Sequence, residues 1–316
     1  MTTSVEREHL ELLLTVARWY YLDEVSQEDI AHRIQFSRSS VSRLLTEARR
    51  RRIVRFEVGH PMERAMSLEA ELVSRYGIKG ARVAETSGTA NAMSSVAAVA
   101  AELVVEVTAD ATVVTVSNGT TVSALVSELP RLHRRDTCIV QMIGALGKDN
   151  PLDDSPEVTR RMADSLGCDF RLMPAPLLVG NQRLASALRR EESVANALAL
   201  GSHADVAVTG VGSFTAQGSG VIFGGWQTPE MIHDLARRGA VGHICGHHFT
   251  VDGLHIEHDL CHRIMAVPLE RLKDIRTVVG VAFGTAKVPA IRGALAGGYL
   301  DLLVTDTATA QALLRD

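Results

Sequence analysis

Apolar residues recur at helical spacing in three separate stretches near the start of the chain. The first stretch, residues 5–21, predicts an amphipathic helix. Ser26 begins the second, because Ser-x-x-Asp through Asp29 is a helix-capping pattern, and Ser37 is the expected cap of the third. The positions predicted to face inward are Leu10, Leu13, Leu14, Ala17 and Tyr21 in the first helix, Ile30, Ala31 and Ile34 in the second, and Val41, Leu44, Leu45 and Ala48 in the third.

The spacing of the second and third stretches is that of a helix-turn-helix. In this motif a small residue, here Ala31, lets two helices cross closely, and Val41 fills the angle between them. Gln35 stands where such turns usually carry glycine. Residues 53–58 then alternate apolar and polar positions as a strand does, which predicts a wing. We therefore expect residues 1–58 to form a winged helix-turn-helix domain that binds DNA.

The charge of this region supports that interpretation. The whole chain has a net charge of -4, but residues 37–55 hold seven arginines against one acidic residue, a local charge of +6. Because salt screens charges over about 8 to 10 Å, the local patch decides whether phosphates are attracted. A solvated helix face is the alternative explanation. The residues expected to meet DNA are Arg38, Ser39, Ser42 and Arg43 at base edges, and Arg49 and Arg51 at phosphates.

From residue 81 onward, strand-like apolar runs alternate with helical stretches, one of which is the Ala/Val-rich segment at about residues 91–107. Near-continuous apolar strands separated by helices indicate a mostly parallel sheet covered on both faces. We therefore predict a doubly wound α/β domain over residues 59–316. The expected strands lie in residues 111–116, 137–143, 204–209, 277–282 and 301–305.

Ligands of such sheets bind beyond the carboxyl ends of the strands, so the loops that leave those ends are candidate sites. Gly119 precedes two threonines at a helix start, where backbone N–H groups and hydroxyls suit a phosphate; simple capping by Thr120 is the alternative. The four candidate loops are residues 117–121, 144–148, 210–213 and 283–287, and their expected effector-binding residues are Asn118, Gly119, Thr120, Thr121, Lys148, Gly212 and Lys287.

The lysines of these loops are notable because the chain contains only four, Lys79, Lys148, Lys273 and Lys287. A lysine beside the site could neutralise a phosphate, or form an imine with an aldehyde sugar if its pKa is lowered. An ordinary exposed lysine is the competing explanation, and it is stronger for Lys148 than for Lys287.

Histidines and cysteines between residues 243 and 262 raise the question of a metal site. Their spacing matches no zinc pattern, and residues 255–258 alternate like a strand, so we expect neither metal nor cofactor. Asp252 is an alternative acceptor for sugar hydroxyls there, although it could equally be a turn acid. The four cysteines show no CxxC pair, and neither a signal peptide nor a membrane-spanning stretch is evident, so a cytoplasmic protein is expected.

With these motifs in view, the whole chain resembles the SorC family of sugar-binding transcriptional regulators. The matching stretches are residues 210–213, 242–249 followed by Asp252 and Gly253, and 278–295 running on to residues 304–306. The resemblance implies an effector domain similar in fold to sugar-phosphate isomerases and deaminases. It also implies that Gly119, Thr120 and Thr121 hold the effector's phosphate, that Asp252 accepts hydroxyls, and that Lys287 contacts the anionic end.

The expected function is therefore a transcriptional regulator of a carbohydrate-utilisation operon, controlled by a sugar or sugar alcohol, expected to be phosphorylated, that binds the C-terminal domain. Since each helix-turn-helix reads one half-site, a homodimer or homotetramer is expected. An enzyme acting on sugar phosphates is the main alternative, because fold alone does not decide function. A DNA-binding architectural protein is the third, and the polar strand-end loops count against it.

Overall fold

A computed structural model shows two compact units, Met1–His60 and Pro61–Asp316. None of the described helices has both the length and the apolar character that crossing a bilayer requires. The residues that the structure describes are 4–51, 53–54, 61–85, 92–147, 151–216, 218–223 and 226–315.

The first unit contains the predicted helices, and both predicted caps are confirmed. The Ser26 hydroxyl accepts a hydrogen bond from Asp29 N, and the Ser37 hydroxyl accepts one from Ser40 N. Gln35 adopts the left-handed conformation (φ 55°, ψ 39°) that glycine usually supplies in this turn. The helices are α1 (Ser4–Tyr21), α2 (Gln27–Ile34) and α3 (Arg38–Arg50).

The core of this unit matches most of the predicted inward positions, including Leu13, Ile30, Val41 and Leu45. Leu14 is a wrong prediction, because it is 48% exposed. Val16 on α1 is fully buried in this core instead. Ile53 and Val54 lie partly buried against this core, whereas most of the predicted wing, residues 55–58, falls outside the described residues.

The second unit is built on the predicted parallel sheet. Within the described residues this sheet has seven strands, all parallel, in the order β1-β10-β9-β5-β2-β3-β4. The five strands expected from sequence are β2, β3, β5, β9 and β10, and all are confirmed. The strands are β1 (Gly80–Ala84), β2 (Val113–Val116), β3 (Cys138–Gln141), β4 (Asp169–Arg171), β5 (Val206–Gly210), β9 (Thr277–Val281) and β10 (Leu302–Asp306).

Helices cover both faces of this sheet, which explains the near-continuous apolar strands. Along β9, Val279 faces one core and Val278 the other. Side chains of α5, α6 and α7 fill the first core, whereas α4, α11 and α12 contribute to the second. The helices are α4 (Pro61–Tyr76), α5 (Ala92–Val107), α6 (Thr120–Glu128), α7 (Ser155–Leu166), α8 (Gln182–Leu188), α9 (Glu192–Ser202), α10 (Pro229–Arg237), α11 (Val288–Ala296) and α12 (Thr307–Leu314).

A small antiparallel sheet, which the sequence pattern did not indicate, adjoins the carboxyl end of β5. Its strands are β6 (Gly212–Ser213), β7 (Ala240–Ile244) and β8 (His247–Thr250), in the order β6-β7-β8. Residues 255–258, which we expected to form a strand, do not form one. His255 makes one isolated bridge to Phe249, and the next three residues are irregular.

Candidate functional site

A cavity of about 230 Å³ opens beyond the carboxyl ends of β2, β5 and β9, where a parallel sheet places its ligands. Three of the four predicted loops meet there. Its lining consists of Ser117, Asn118, Gly119, Thr120, Thr121, Val122, Gly210, Val211, Gly212, Ser219, Ile222, His243, Cys245 and Lys287.

One wall of the cavity is the N-terminus of α6. Gly119 is the N-cap residue and has a φ of 111°, a conformation that side chains rarely allow. Thr120 is the first helical residue, so the alternative in which Thr120 itself caps the helix is wrong. The first helical hydrogen bond runs from Ser123 N to Gly119 O, which leaves the N–H groups of residues 120–122 outside the helical pattern, whereas Gly119 N donates to Asp153 O. Free donors and the positive end of the helix favour an anion at this wall.

Lys287 provides the cation of the cavity. It ends a short 3₁₀ turn, Thr285–Lys287, that follows β9, and its side chain is half-buried. Lys287 Nζ donates to the carbonyl oxygen of Val211 over 3.1 Å. Burial lowers the pKa of the Lys287 ammonium, because a desolvated charge is disfavoured. An anionic ligand would compensate this cost by pairing with the charge.

His243 lies beside Lys287 in the lining, and sequence reasoning did not assign it to this site. It is 7% exposed, and among the described residues its Nδ1 has no hydrogen-bond partner. Burial, together with the positive charge of Lys287, lowers the pKa of His243 to about 4, so the ring is neutral at pH 7. Because His243 lines the cavity, this unpaired buried nitrogen is a candidate contact for a ligand.

Gly212 was predicted as an effector contact, and the structure gives a physical reason for glycine at that position. A Cβ atom there would lie 2.2 Å from His243 Nε2. The glycine therefore leaves room for the histidine ring across the β6–β7 pair, and its contribution to the site is spatial.

Cys245 also lines the cavity and was not predicted to do so. It has a φ of 49° and, with Gly246, forms the two-residue turn between β7 and β8. Two-residue hairpins favour residues with positive φ, so the Cys-Gly pair was the signal for this turn. Burial raises the pKa of the Cys245 thiol to about 12, so this cysteine is protonated and unreactive at neutral pH.

One predicted effector residue that the structure describes is not brought to the cavity. Asp252 is exposed in the turn after β8 and is absent from the lining. In the Asp252-Gly253 pair, the structure requires the glycine, because an added Cβ at Gly253 would lie 2.1 Å from Gly297 N. Lys148 lies outside the described residues, and the loop before it is held by Asp154, which accepts hydrogen bonds from Leu146 N and Gly147 N.

The candidate DNA-contacting face of α3 consists of exposed side chains, including Arg38, Ser39, Ser42, Arg43 and Arg49. All of them lie opposite the buried stripe that packs on α1 and α2, so they are accessible from solvent, although the Ser39 hydroxyl lies 2.9 Å from that of Ser37.

Arg51 is paired with an acidic residue one helical turn before it, a contact that we did not predict. Its Nη2 lies 2.7 Å from Glu47 Oε1, and His9 Nε2 lies 3.2 Å from the same oxygen. The hydrogen bond to His9 and the positive charge of Arg51 hold the pKa of the Glu47 carboxyl below its ordinary value. Glu47 is therefore charged and occupies part of the Arg51 guanidinium, which makes Arg49 the better candidate for a phosphate contact.

The histidine-rich stretch brings together three side chains that the sequence spacing did not connect. Ligand atoms of His247, His255 and Cys261 all lie within 4.8 Å of one another. None of the three lines the cavity described above.

Comparison with known proteins is consistent with this architecture. Residues 60–315 match the model of the family Sugar-bind, described as "Putative sugar-binding domain". The chain is 33% identical to transcriptional regulator LsrR of Klebsiella pneumoniae over 307 residues, 96% of this chain and 93% of that protein. It is 28% identical to the deoxyribonucleoside regulator of Bacillus subtilis, covering 99% of this chain and all of the relative. The crystal structure of the full-length sorbitol operon regulator SorC from Klebsiella pneumoniae superposes with a TM-score of 0.73 at 26% identity, covering 97% of this chain and 99% of that one.

Proposed function

Because this chain belongs to the SorC family of sugar-binding transcriptional regulators, we propose that it is a cytoplasmic protein that controls a carbohydrate-utilisation operon. In this proposal the first unit binds operator DNA. A phosphorylated sugar or sugar alcohol binds in the cavity at the ends of β2, β5 and β9 and alters that DNA binding.

The observation that carries the proposal is the composition of the cavity. The N-terminus of α6 and the half-buried Lys287 both favour negative charge, and they line the same small space. Ser117, Asn118, Thr121 and the neutral His243 supply polar atoms suited to hydroxyl groups. A cavity of about 230 Å³ is small compared with typical drug sites of roughly 300 to 1,000 Å³, which favours a compact ligand.

A thermal-shift screen tests the ligand class directly. Full-length protein is heated with matched pairs, each a sugar or polyol and its phosphate ester, because a ligand of the folded state raises the melting temperature by mass action. The proposal predicts that at least one phosphate ester stabilises more than its free partner. Stabilisation by free sugars alone would indicate a neutral effector, and stabilisation by none of the pairs would contradict the assignment of the cavity.

For the DNA-binding unit, Arg43→Ala tests whether α3 enters the major groove. An arginine that reads a base is worth about 1 to 3 kcal/mol, so affinity for the preferred duplex should fall at least several-fold more than affinity for unrelated DNA. Arg49→Ala should weaken both alike, as expected for a phosphate contact. Arg7→Ala on α1, an exposed arginine paired with Glu11, is the matched control.

We propose that the active form is a homodimer or homotetramer, since a palindromic operator needs two helix-turn-helix heads. The effector would favour one arrangement of the subunits and so change the spacing of the heads. Light scattering on full-length protein, with and without effector, measures the assembly. A strict monomer at micromolar concentration in both states would contradict this mechanism.

Catalysis of a sugar-phosphate reaction is the second candidate function, and one observation favours it: burial lowers the pKa of Lys287, which suits acid-base or imine chemistry. We nevertheless propose that the chain is not an enzyme, because its relatives over nearly the full length are named regulators. Incubation of effector candidates with the protein, followed by mass spectrometry, tests this. Multiple turnovers that disappear in Lys287→Met would establish an enzyme.

A further inference from the structure

Three potential metal ligands converge outside the lining of the effector cavity. His247 comes from β8, whereas His255 and Cys261 come from the segment that follows this strand. Their nearest ligand atoms lie within 4.8 Å of one another, and His255 Nε2 lies 3.8 Å from Cys261 Sγ. Two ligands of a tetrahedral zinc site, each about 2.0 to 2.3 Å from the metal, are separated by a similar distance.

His247 is the observation that points to a ligand. Its side chain is 7% exposed, and within the described part of the chain neither ring nitrogen has a hydrogen-bond partner. Buried polar atoms are nearly always satisfied, and an unsatisfied one costs about 1 to 3 kcal/mol. The ring lies edge-on to that of His255, with centroids 5.4 Å apart, so it is directed at the same small volume. A metal ion at that position would bind one of the two unpaired nitrogens.

The His255 ring is oriented by a carboxylate, as the ring of a metal-binding histidine often is. Its Nδ1 lies 2.5 Å from Glu270 Oε1. A carboxylate on Nδ1 fixes the proton there and leaves the lone pair of Nε2 directed away, towards Cys261. This pairing of a carboxylate with the far nitrogen of a ligating histidine is common around zinc, and here it does not depend on an ion being present.

Cys261 decides which metal suits the site. Its sulfur is half-buried and, besides His255, lies 3.7 Å from the Ile256 carbonyl oxygen. That carbonyl contact is long and weak, so the thiol has no strong protein partner among the described groups. A thiolate with two imidazoles selects Zn²⁺ over the oxygen-seeking Mg²⁺ and Ca²⁺.

We propose that His247, His255 and Cys261 bind one Zn²⁺ ion per chain, with Glu270 orienting His255. Three protein ligands leave a fourth tetrahedral position for water or another donor. The ion joins β8 to the segment after it. Because the β7–β8 hairpin also carries His243 and Cys245, the zinc site would stabilise the hairpin that contributes to the cavity lining.

Cobalt substitution tests the proposal on the intact protein. Full-length chain treated with a chelator and dialysed is titrated with Co²⁺, which in a thiolate-containing tetrahedral site gives a sulfur-to-cobalt charge-transfer band and strong visible absorption. The expected result is saturation at one equivalent per chain and displacement of the cobalt by one equivalent of Zn²⁺. Metal addition should also raise the melting temperature.

Variants locate the ion. Cys261→Ser should abolish the charge-transfer band, and His255→Gln should weaken Zn²⁺ binding by at least tenfold, as should His247→Gln. Glu270→Gln should weaken it by about 10- to 100-fold, as expected for a group that orients a ligand. Cys138→Ser and His233→Gln are matched controls elsewhere in the same unit and should bind like the wild type.

The proposal is overturned if the wild-type chain binds less than half an equivalent of Co²⁺ at micromolar concentration, or shows no thiolate band. It is equally overturned if Cys261→Ser keeps the band, or if Cys138→Ser loses it. The wild-type titration can contradict the proposal by itself, even if one of the variants fails to fold. Circular dichroism of each chelator-treated variant separates loss of binding from loss of structure.

Discussion

Replacement of Lys287 by methionine removes the single cation that lines the effector cavity in the described structure while keeping most of the side-chain volume. In the wild type, Lys287 Nζ donates to Val211 O over 3.1 Å and still has two further N–H groups for a ligand. The half-buried position leaves the ammonium incompletely solvated. The substitution therefore removes an attraction to an anionic effector without opening a void.

The size of the effect follows from the strength of a charged hydrogen bond to the effector. Such a bond contributes about 1.5 to 3 kcal/mol, so its removal corresponds to about a 10- to 150-fold weaker effector affinity. The carbonyl of Val211 is also deprived of its donor, but water entering the open cavity can replace it. Stability of the free protein should change little, because burial disfavours the charge that is removed.

Isothermal titration calorimetry with the best phosphate ester from the thermal-shift screen measures this affinity. Lys79→Met is the matched control: Lys79 is an exposed lysine paired with Asp301, away from the cavity lining. The control should bind effector as the wild type does. Operator affinity without effector should be the same for all three proteins.

Wild-type affinity of Lys287→Met for a phosphorylated effector would refute the phosphate-site assignment. An equal loss of affinity for the phosphate ester and for its free sugar would also refute it, because Lys287 would then bind a hydroxyl or support the cavity. Only a loss confined to the ester agrees with the proposed charge pairing.

Three further predictions concern stability. Ser37→Ala removes the oxygen that accepts from Ser40 N, and should lower the unfolding free energy by about 0.5 to 2 kcal/mol in urea titrations, whereas the exposed Ser42→Ala should have little effect. Gly253→Ala should destabilise strongly, because the new Cβ would lie 2.1 Å from Gly297 N; Gly298→Ala, with open space at a φ of 66°, should cost only about 1 to 2 kcal/mol by the same measurement. His243 has a pKa of about 4 when folded and an ordinary value of 6.5, so the unfolded chain binds its proton first and stability falls as pH drops from 6.5 towards 4. Urea titrations with chelator at pH 7 and 5 should show a smaller loss for His243→Gln than for the wild type, and equal losses would contradict the assigned burial.

Periodicity and capping were sufficient to predict the helix-turn-helix and the central strands. Ser26 and Ser37 could be identified as helix starts because an N-cap serine accepts a hydrogen bond from the backbone N–H three residues later, which is a local interaction. Strand β9 was evident because helices cover both of its faces, so Val278 and Val279 are both buried. By contrast, the edge strand β4 has three residues, two of them exposed, and gives no apolar run.

The candidate site was predicted in part, because the loops that follow the strands could be located from the sequence but the hairpin beside them could not. Gly119, Thr120 and Lys287 follow parallel strands, whose carboxyl ends must meet at one edge of the sheet. His243 and Cys245 reach the same cavity through hairpin pairing of β7 with β8, which depends on a turn that we did not identify from the sequence. The pairing of His9 with Glu47 joins residues that are far apart in the sequence, and it arises only once α1 packs on α3.

The central claim is that a small sugar ligand in the second unit controls DNA binding by the first, and one titration tests it. A duplex is selected from a random-sequence library with the full-length protein, and its affinity is then measured by fluorescence anisotropy with and without a saturating phosphate ester. We predict sequence-specific binding whose affinity shifts at least fivefold with the ester, within the usual allosteric coupling of about 1 to 3 kcal/mol. A protein that binds the ester but keeps the same operator affinity, or that enriches no duplex, would contradict the account.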